Sequence, residues 1–389
     1  MPFLLVLGLA AFASAFSMRV VDPMLNILAS ELQVTLQQVA MLASAFTFPY
    51  ALMQLVFGPI GDAVGKVRLI RVNLAMLSLG LAVSASATSH EVLLASRVFS
   101  GAFAGGIIPV VLATVGDRVP FERRPLALSR VLLALVLGQL SGSALAGFIA
   151  ELVGWREVFW CALAVAALAA LATTFGLTEE GERKPLSFAA SIARYGLVLR
   201  NPLSIKVYGV VAIEGALSFG VFPLVAPLMV HQGIGNAKEA GIALAAFAIG
   251  GAVYTFAVPL LVRYLGLSGM VRWGAAGVGV LLILATRAHG LVLMAAIFAG
   301  AGFAFYMIHN VLQILATELA PEARGSALAL FASSFFIGQA LGALGLTQAA
   351  GFAGVGAMFI TAGIGMLLLA GPAGLLQPRR GQISPPETL

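Results

Sequence analysis

The sequence predicts an all-α polytopic membrane protein: about twelve transmembrane helices in two pseudo-symmetric six-helix bundles. Three observations predict it. Of 389 residues, 60% are hydrophobic and only 10% are charged, whereas a soluble domain carries about 25% charged residues to solvate its surface. Mean hydropathy is +1.03. Apolar runs of about 20 residues, the length that crosses a bilayer, recur along the whole chain. Short motifs of the first half also return in the second after about 200 residues.

The first bundle is expected over residues 1–178. Span 1 covers 3–29. It contains Ala13-Ser14-Ala15, which resembles a signal cleavage site, but no Lys or Arg precedes the apolar run and the run continues past it, so no cleavage is expected. Span 2 covers 37–60 and opens on polar Gln37 and Gln38, which leaves its start the least defined. Spans 3 to 6 follow at 68–88, 91–115, 127–150 and 156–177. Cys161, the lone cysteine, lies in an apolar run. It excludes an intramolecular disulfide and a cysteine-rich metal site, and reads as a small buried hydrophobe.

A linker at 179–202 is the longest polar stretch. It opens with Glu179, Glu180, Glu182, Arg183 and Lys184. Leu186, Phe188, Ile192, Tyr195 and Leu199 then recur at helical spacing, which predicts a short amphipathic helix on the inner membrane surface. The second bundle is expected over 203–373, with spans 7 to 12 at 203–229, 238–262, 270–286, 290–316, 326–349 and 354–373. A tail at 374–389 closes the chain. The 44 glycines suit close helix packing, where no hydrophobic effect drives helices together in lipid.

Charge sets the orientation. Lys66, Arg68 and Arg71 follow span 2, and Arg118, Arg123, Arg124 and Arg130 follow span 4. Arg183, Lys184, Arg194, Arg200 and Lys206 lie in or beside the linker. Arg263, Arg272 and Arg324 follow spans 8 and 10, and Arg379 and Arg380 are in the tail. Against these seventeen, the other side has Arg156, Lys238 and Arg287. Both termini are therefore expected in the cytoplasm of a bacterial-type inner membrane. The net charge of +6 follows from the same bias, so it does not point to nucleic acid.

The repeat is the most informative pattern. Gly138-Gln139-Leu140-Ser141-Gly142 in span 5 returns as Gly338-Gln339-Ala340-Leu341-Gly342 in span 11, and Pro120-Phe121-Glu122-Arg123 returns as Pro321-Glu322-Ala323-Arg324. A parallel repeat of two six-helix bundles is a transporter design, with the substrate site between the halves at mid-depth. After span 2 the chain reads Gly58-Pro59-Ile60-Gly61-Asp62-Ala63-Val64-Gly65-Lys66-Val67-Arg68. Arg97, Gly101 and Gly105 mark span 4, Asp22-Pro23-Met24-Leu25-Asn26-Ile27-Leu28 marks span 1, and Trp155, Arg156 and Phe159 open span 6. These segments resemble the signature loop and accompanying motifs of the major facilitator superfamily, most closely its drug–proton antiporter branches. Span 5 resembles the antiporter motif only in part, since Ser143 follows Gly142 where that motif has a proline.

The resemblance implies a latch in the Gly58–Arg68 loop that closes the cytoplasmic side in one state. Gly58 would allow a close helix crossing. Asp62 would face a helix N-terminus, with Gly65, Lys66 and Arg68 around it and Arg123 or Arg124 as its ionic partner. The alternative is that Asp62 and Lys66 only cap a turn and orient insertion. In the second half Val258-Pro259 aligns with Gly58-Pro59 and Val262 stands where the acid would be, so a second latch is degenerate.

Charges inside spans are costly, about 2.5–3.5 kcal/mol on insertion scales, so each needs a reason. Arg19 and Asp22 lie three apart on one helix face and are expected to pair, either in a central cavity or at the outer rim. Arg97, by resemblance, faces the cavity and tunes Asp22; otherwise it satisfies helix carbonyls. Glu214 is a lone acid in span 7, placed for proton coupling or held as a structural, hydrogen-bonded carboxyl. Asp22, Arg97 and Glu214 are the coupling candidates. Arg19, Tyr50, Gln54, Phe219, Tyr306, His309 and Asn310 are the substrate-cavity candidates, the polar ones weighed against interhelical hydrogen bonds and the aromatics against packing.

The sequence holds no phosphate loop and no zinc-like His/Glu motif, so ATP hydrolysis and enzymatic chemistry are not expected. The expectation is a proton-coupled exporter of small organic molecules. Its rivals are an uptake symporter or facilitator for a small organic anion held by Arg19 and Arg97, and a non-transporting sensor or assembly factor. The expected partners are a small-molecule substrate, protons and lipid. No cofactor is expected, and the functional unit is expected to be a monomer.

Overall fold

The computed structural model describes residues 2–120, 123–179 and 187–374. Phe121, Glu122, Glu180, Glu182, Arg183, Lys184, Leu186 and the tail with Arg379 and Arg380 lie outside the described residues. Within them the chain is built of helices, and eleven helical segments are long and apolar enough to cross a membrane. They are Phe3–Leu32, Leu36–Val64, Lys66–Ala85, His90–Arg118, Leu126–Leu152, Trp155–Gly176, Ser204–His231, Ala237–Ala285, Leu291–Glu318, Pro321–Ala353 and Val355–Gly374.

The eighth segment contains two of the expected spans. At 49 residues it is too long for one crossing: a straight helix of that length would reach about 74 Å, against a hydrocarbon core of about 30 Å. Gly266 breaks it, with φ 62° and ψ 174°, a left-handed φ that suits glycine. Packing shows that the two arms lie side by side. Gly250 on the first arm abuts the carbonyl of Ala299, and Gly274 on the second abuts that of Ala304. Along one straight helix these glycines would stand about 36 Å apart. The loop expected between spans 8 and 9 is therefore a single-glycine break, and the fold has about twelve crossings.

Spans 1 and 7 are interrupted at matching places. Span 1 runs as a helix over Pro2–Arg19, then a 3-10 turn over Asp22–Met24, then a helix over Leu25–Leu32. Span 7 runs over Ser204–Phe219, Phe222–Leu224 and Val225–His231. Pro23 and Pro223 each lack the N–H a continuing helix needs. The shift is 200 residues, the same as between Gly138 and Gly338.

The repeat extends to contacts. A Cβ at Gly138 or Gly142 would overlap the carbonyl of Phe12 or Phe16 in span 1. One at Gly338 or Gly342 would overlap that of Ala212 or Ala216 in span 7. Buried apolar side chains form two clusters, one between Leu4 and Leu177 and one between Val198 and Ala373.

The clusters meet through spans 5 and 8 and spans 2 and 11. Lys238 N donates to Glu151 Oε1 at 3.0 Å, and Ser44 Oγ donates to Ala340 O at 2.8 Å. Gly241 packs on the Ser143 carbonyl. These contacts lie in the half of the molecule away from the basic connections. At the basic end of span 2, a Cβ on Gly58 would meet nothing within 4 Å.

The linker helix covers Phe188–Leu199 and is capped by Ser187, whose side chain accepts from Ala190 N at 3.2 Å. Tyr195 docks it by donating to the Leu55 carbonyl of span 2 at 2.9 Å. Ile192 and Leu199 on the expected apolar stripe are exposed.

Candidate functional site

The loop after span 2 is drawn tight by its glycine and its charges. Span 2 ends at Val64, Gly65 takes φ 104°, and span 3 begins at Lys66. Lys66 Nζ lies 3.0 Å from Asp62 Oδ1 and 2.5 Å from Asp117 Oδ2 at the end of span 4. The ion-pair partner that the structure gives Asp62 is thus Lys66, one turn along. Arg124 donates to the Val119 carbonyl at 2.9 Å instead, and Arg123 is exposed.

Glu179 caps span 3. It accepts from Arg68 N at 2.8 Å and Val67 N at 3.3 Å, where a carboxylate is favoured by the helix N-terminus. Arg71 gathers the carbonyls of Thr173, Thr174 and Leu177, and Arg118 donates to that of Thr178. Asp117 and the capping role of Glu179 were not legible in the sequence; Asp117 gave a weak signal as a lone acid beside Arg118.

The intramembrane charges form two groups. The first sits at the break in span 1. Arg19 Nη1 donates to Asp22 Oδ2 at 3.4 Å, and both side chains are almost wholly buried. The Arg19 guanidinium also crosses to the other half, standing 4.6 Å over the Phe219 ring and 5.1 Å over the Phe222 ring, within cation–π range. By the repeat, Phe219 and Phe222 are the counterparts of Arg19 and Asp22. The Phe-Pro at 222–223 matching the Asp-Pro at 22–23 was the missed sequence signal.

Arg97 is fully buried in the first half. It donates to the carbonyls of Ser17 at 2.9 Å, Met18 at 3.4 Å and Leu42 at 3.5 Å, and lies 4.1 Å over Phe46.

The second group is Glu214 with His309. Glu214 Oε2 is 3.2 Å from His309 Nδ1. Glu214 has 0% exposure and its Oε1 has no partner among the described residues, while His309 remains partly open. Rings surround the imidazole: Phe305, Phe335 and Phe331 have centroids 4.8, 4.9 and 5.0 Å away. Phe305 and Phe335 also touch Phe219, at 5.0 and 5.4 Å, so one aromatic wall links the two charged groups.

Two of the remaining candidates adjoin these rings, Tyr306 through Phe305 and Tyr50 through Phe336. Tyr50 meets Phe336 of the other half at 4.9 Å, and Tyr306 stacks on Tyr254 at 6.3 Å. Gln54 is buried with no partner for Nε2 among the described residues, and Asn310 is partly buried beside Tyr254. The Gly58–Arg68 loop lies at the basic end of span 2.

A profile described as Major Facilitator Superfamily matches residues 7–343. The chain belongs to the major facilitator superfamily. This is a family of transporters rather than enzymes. A triacylglyceride transporter of Mycolicibacterium hassiacum is 31% identical over 205 residues, covering 49% of this chain and 38% of its own. The multi-drug resistance efflux pump PmrA of Streptococcus pneumoniae is 33% identical over 174 residues, 43% of each chain. These matches thus span less than half of the curated relatives' length. The solved structure of a D323A mutant of the nucleoside transporter NupG superposes with a TM-score of 0.75, over 94% of this chain and 98% of that one. At 14% identity it shows the shared fold alone.

Proposed function

We propose that this superfamily member is a proton-coupled exporter of small organic molecules, working by alternating access in a bacterial inner membrane as a monomer with both termini in the cytoplasm. The observation that carries it is the Glu214–His309 pair. An acid with 0% exposure lies 3.2 Å from a partly exposed imidazole. Such a pair can take up or release a proton, change its partners and bias one conformation.

The conformation supports rocking of the halves. They meet on the side away from the basic connections, while Gly58 on the basic side has nothing within 4 Å of a would-be Cβ. The positive-inside bias makes that open side cytoplasmic. The Gly58–Arg68 loop, with Asp62 and Lys66 at its centre, is the latch of the opposite state, and Asp22 with Arg97 is a second coupling candidate.

The test is flux in reconstituted vesicles with and without an imposed pH gradient. Glu214→Gln is expected to abolish uphill, gradient-driven transport while downhill exchange survives. Full gradient-driven flux in that variant would move the coupling role to Asp22.

A further inference from the structure

We propose that Arg19 is the anion site of the substrate, and that the substrate is an organic monocarboxylate with a flat apolar body. This rests on the transporter reading above, but on neither its direction nor its proton coupling. The charges at the break in span 1 do not balance among themselves. Arg19, Arg97, Asp22 and Glu214 are all almost wholly buried. Glu214 lies apart from them against His309, so among the described residues Asp22 is the one acid facing the two guanidinium groups. An uncompensated charge inside a membrane protein is costly unless a partner completes it.

The two arginines differ in what they have spent. A guanidinium carries five N–H donors. Arg97 places three hydrogen bonds on carbonyls. Among the described residues Arg19 makes one, to Asp22 at 3.4 Å, longer than a good charge-assisted bond. The faces of Phe219 and Phe222 lie at 4.6 and 5.1 Å, with the Tyr50 and Tyr306 phenols in electrostatic reach of Arg19 but not hydrogen-bonded to it. Ring faces hold a guanidinium without using its N–H groups. Arg19 therefore keeps a free planar fork, the shape that grips a carboxylate through two parallel bonds.

Charge and shape select the ligand. One excess positive charge calls for a monoanion. A phosphate monoester carries about −1.5 to −2 at neutral pH and would leave the centre negative. From Arg19 the wall of Phe219, Phe305 and Phe335 continues to Phe336, 5.2 Å from Phe335. A flat apolar body stacks along that wall, with its carboxylate on Arg19 and its far end toward His309.

Calorimetric titration of the detergent-purified full chain with naphthoate, its neutral amide and naphthylmethylamine tests this without any gradient. Naphthoate should bind at least about tenfold more tightly than the amide, the worth of one charge-assisted hydrogen bond, and the amine should bind most weakly. Arg19→Gln should erase that preference, and Arg19→Lys should keep part of it.

Asp22→Asn should tighten naphthoate severalfold, because it removes the competing anion, and a misfolded variant cannot do that. Equal binding of acid and amide overturns the proposal. So does an Arg19→Gln variant that keeps the preference, or a weaker Asp22→Asn. Absence of naphthoate binding in the millimolar range, in protein that still unfolds cooperatively, overturns it too. Failure of the exporter reading shows elsewhere, as flux indifferent to the pH gradient with this binding intact.

Discussion

Glu214 and His309 show how much a contact adds to a residue. Each is an expensive polar group in an apolar helix. At 3.2 Å they share one hydrogen bond in a box of phenylalanine rings. Removing one partner strands the other, at a cost of about 3–5 kcal/mol for a buried pair, whereas replacing both with apolar groups is often neutral. Glu214→Leu and His309→Phe are therefore expected to lower thermal stability in detergent singly, and the double variant should be more stable than either. Additive losses across that cycle would mean that the two groups are not coupled. Both residues were visible in the sequence as lone polar groups. Their pairing was not, because 95 residues separate them and only the packing of span 10 against span 7 joins them. Arg97 was equally visible, but the three carbonyls it satisfies belong to other spans.

At the scale of elements, the charged loop between spans 2 and 3 is the part the sequence exposed most fully. Glycine at the turn, an acid one turn before it and a basic residue after it follow from local spacing, and Lys66 meets Asp62 at i,i+4. Its reach beyond itself needed the fold, since Asp117 and Glu179 arrive from spans 4 and 6. In the present conformation Lys66 is shared by two carboxylates. Asp62→Asn is expected to leave insertion and ligand binding intact while transport falls by most of its rate, because the loop lies away from the central charges. Normal flux at normal expression would show that the loop only orients the chain. Helix edges were less legible. The interruption of spans 1 and 7 needed recognition of one Pro pair 200 residues apart, whereas the break at Gly266 falls in the connection that Arg263 and Arg272 mark in the sequence.

For the whole molecule, composition and repeat carried the fold, because lipid selects apolar surfaces and a duplicated bundle repeats its glycines. They carried nothing about which face the halves close on, since both arrangements use one sequence. The contacts decide that for this conformation: Ser44 in span 2 holds the Ala340 carbonyl of span 11 at 2.8 Å, and Gly241 in span 8 lies on the Ser143 carbonyl of span 5. If transport requires the halves to part on this side, a covalent tie here stops the cycle. In a chain whose Cys161 has been replaced by Ala, Ser44→Cys with Ala340→Cys should be bridged by a short thiol crosslinker. Flux should then fall to background and return when a cleavable crosslinker is reduced. Each single cysteine treated in the same way should transport normally, which separates the tie from chemical damage. A crosslinked protein that keeps full flux would show that spans 2 and 11 stay together throughout, and that alternating access in this chain does not open along that seam.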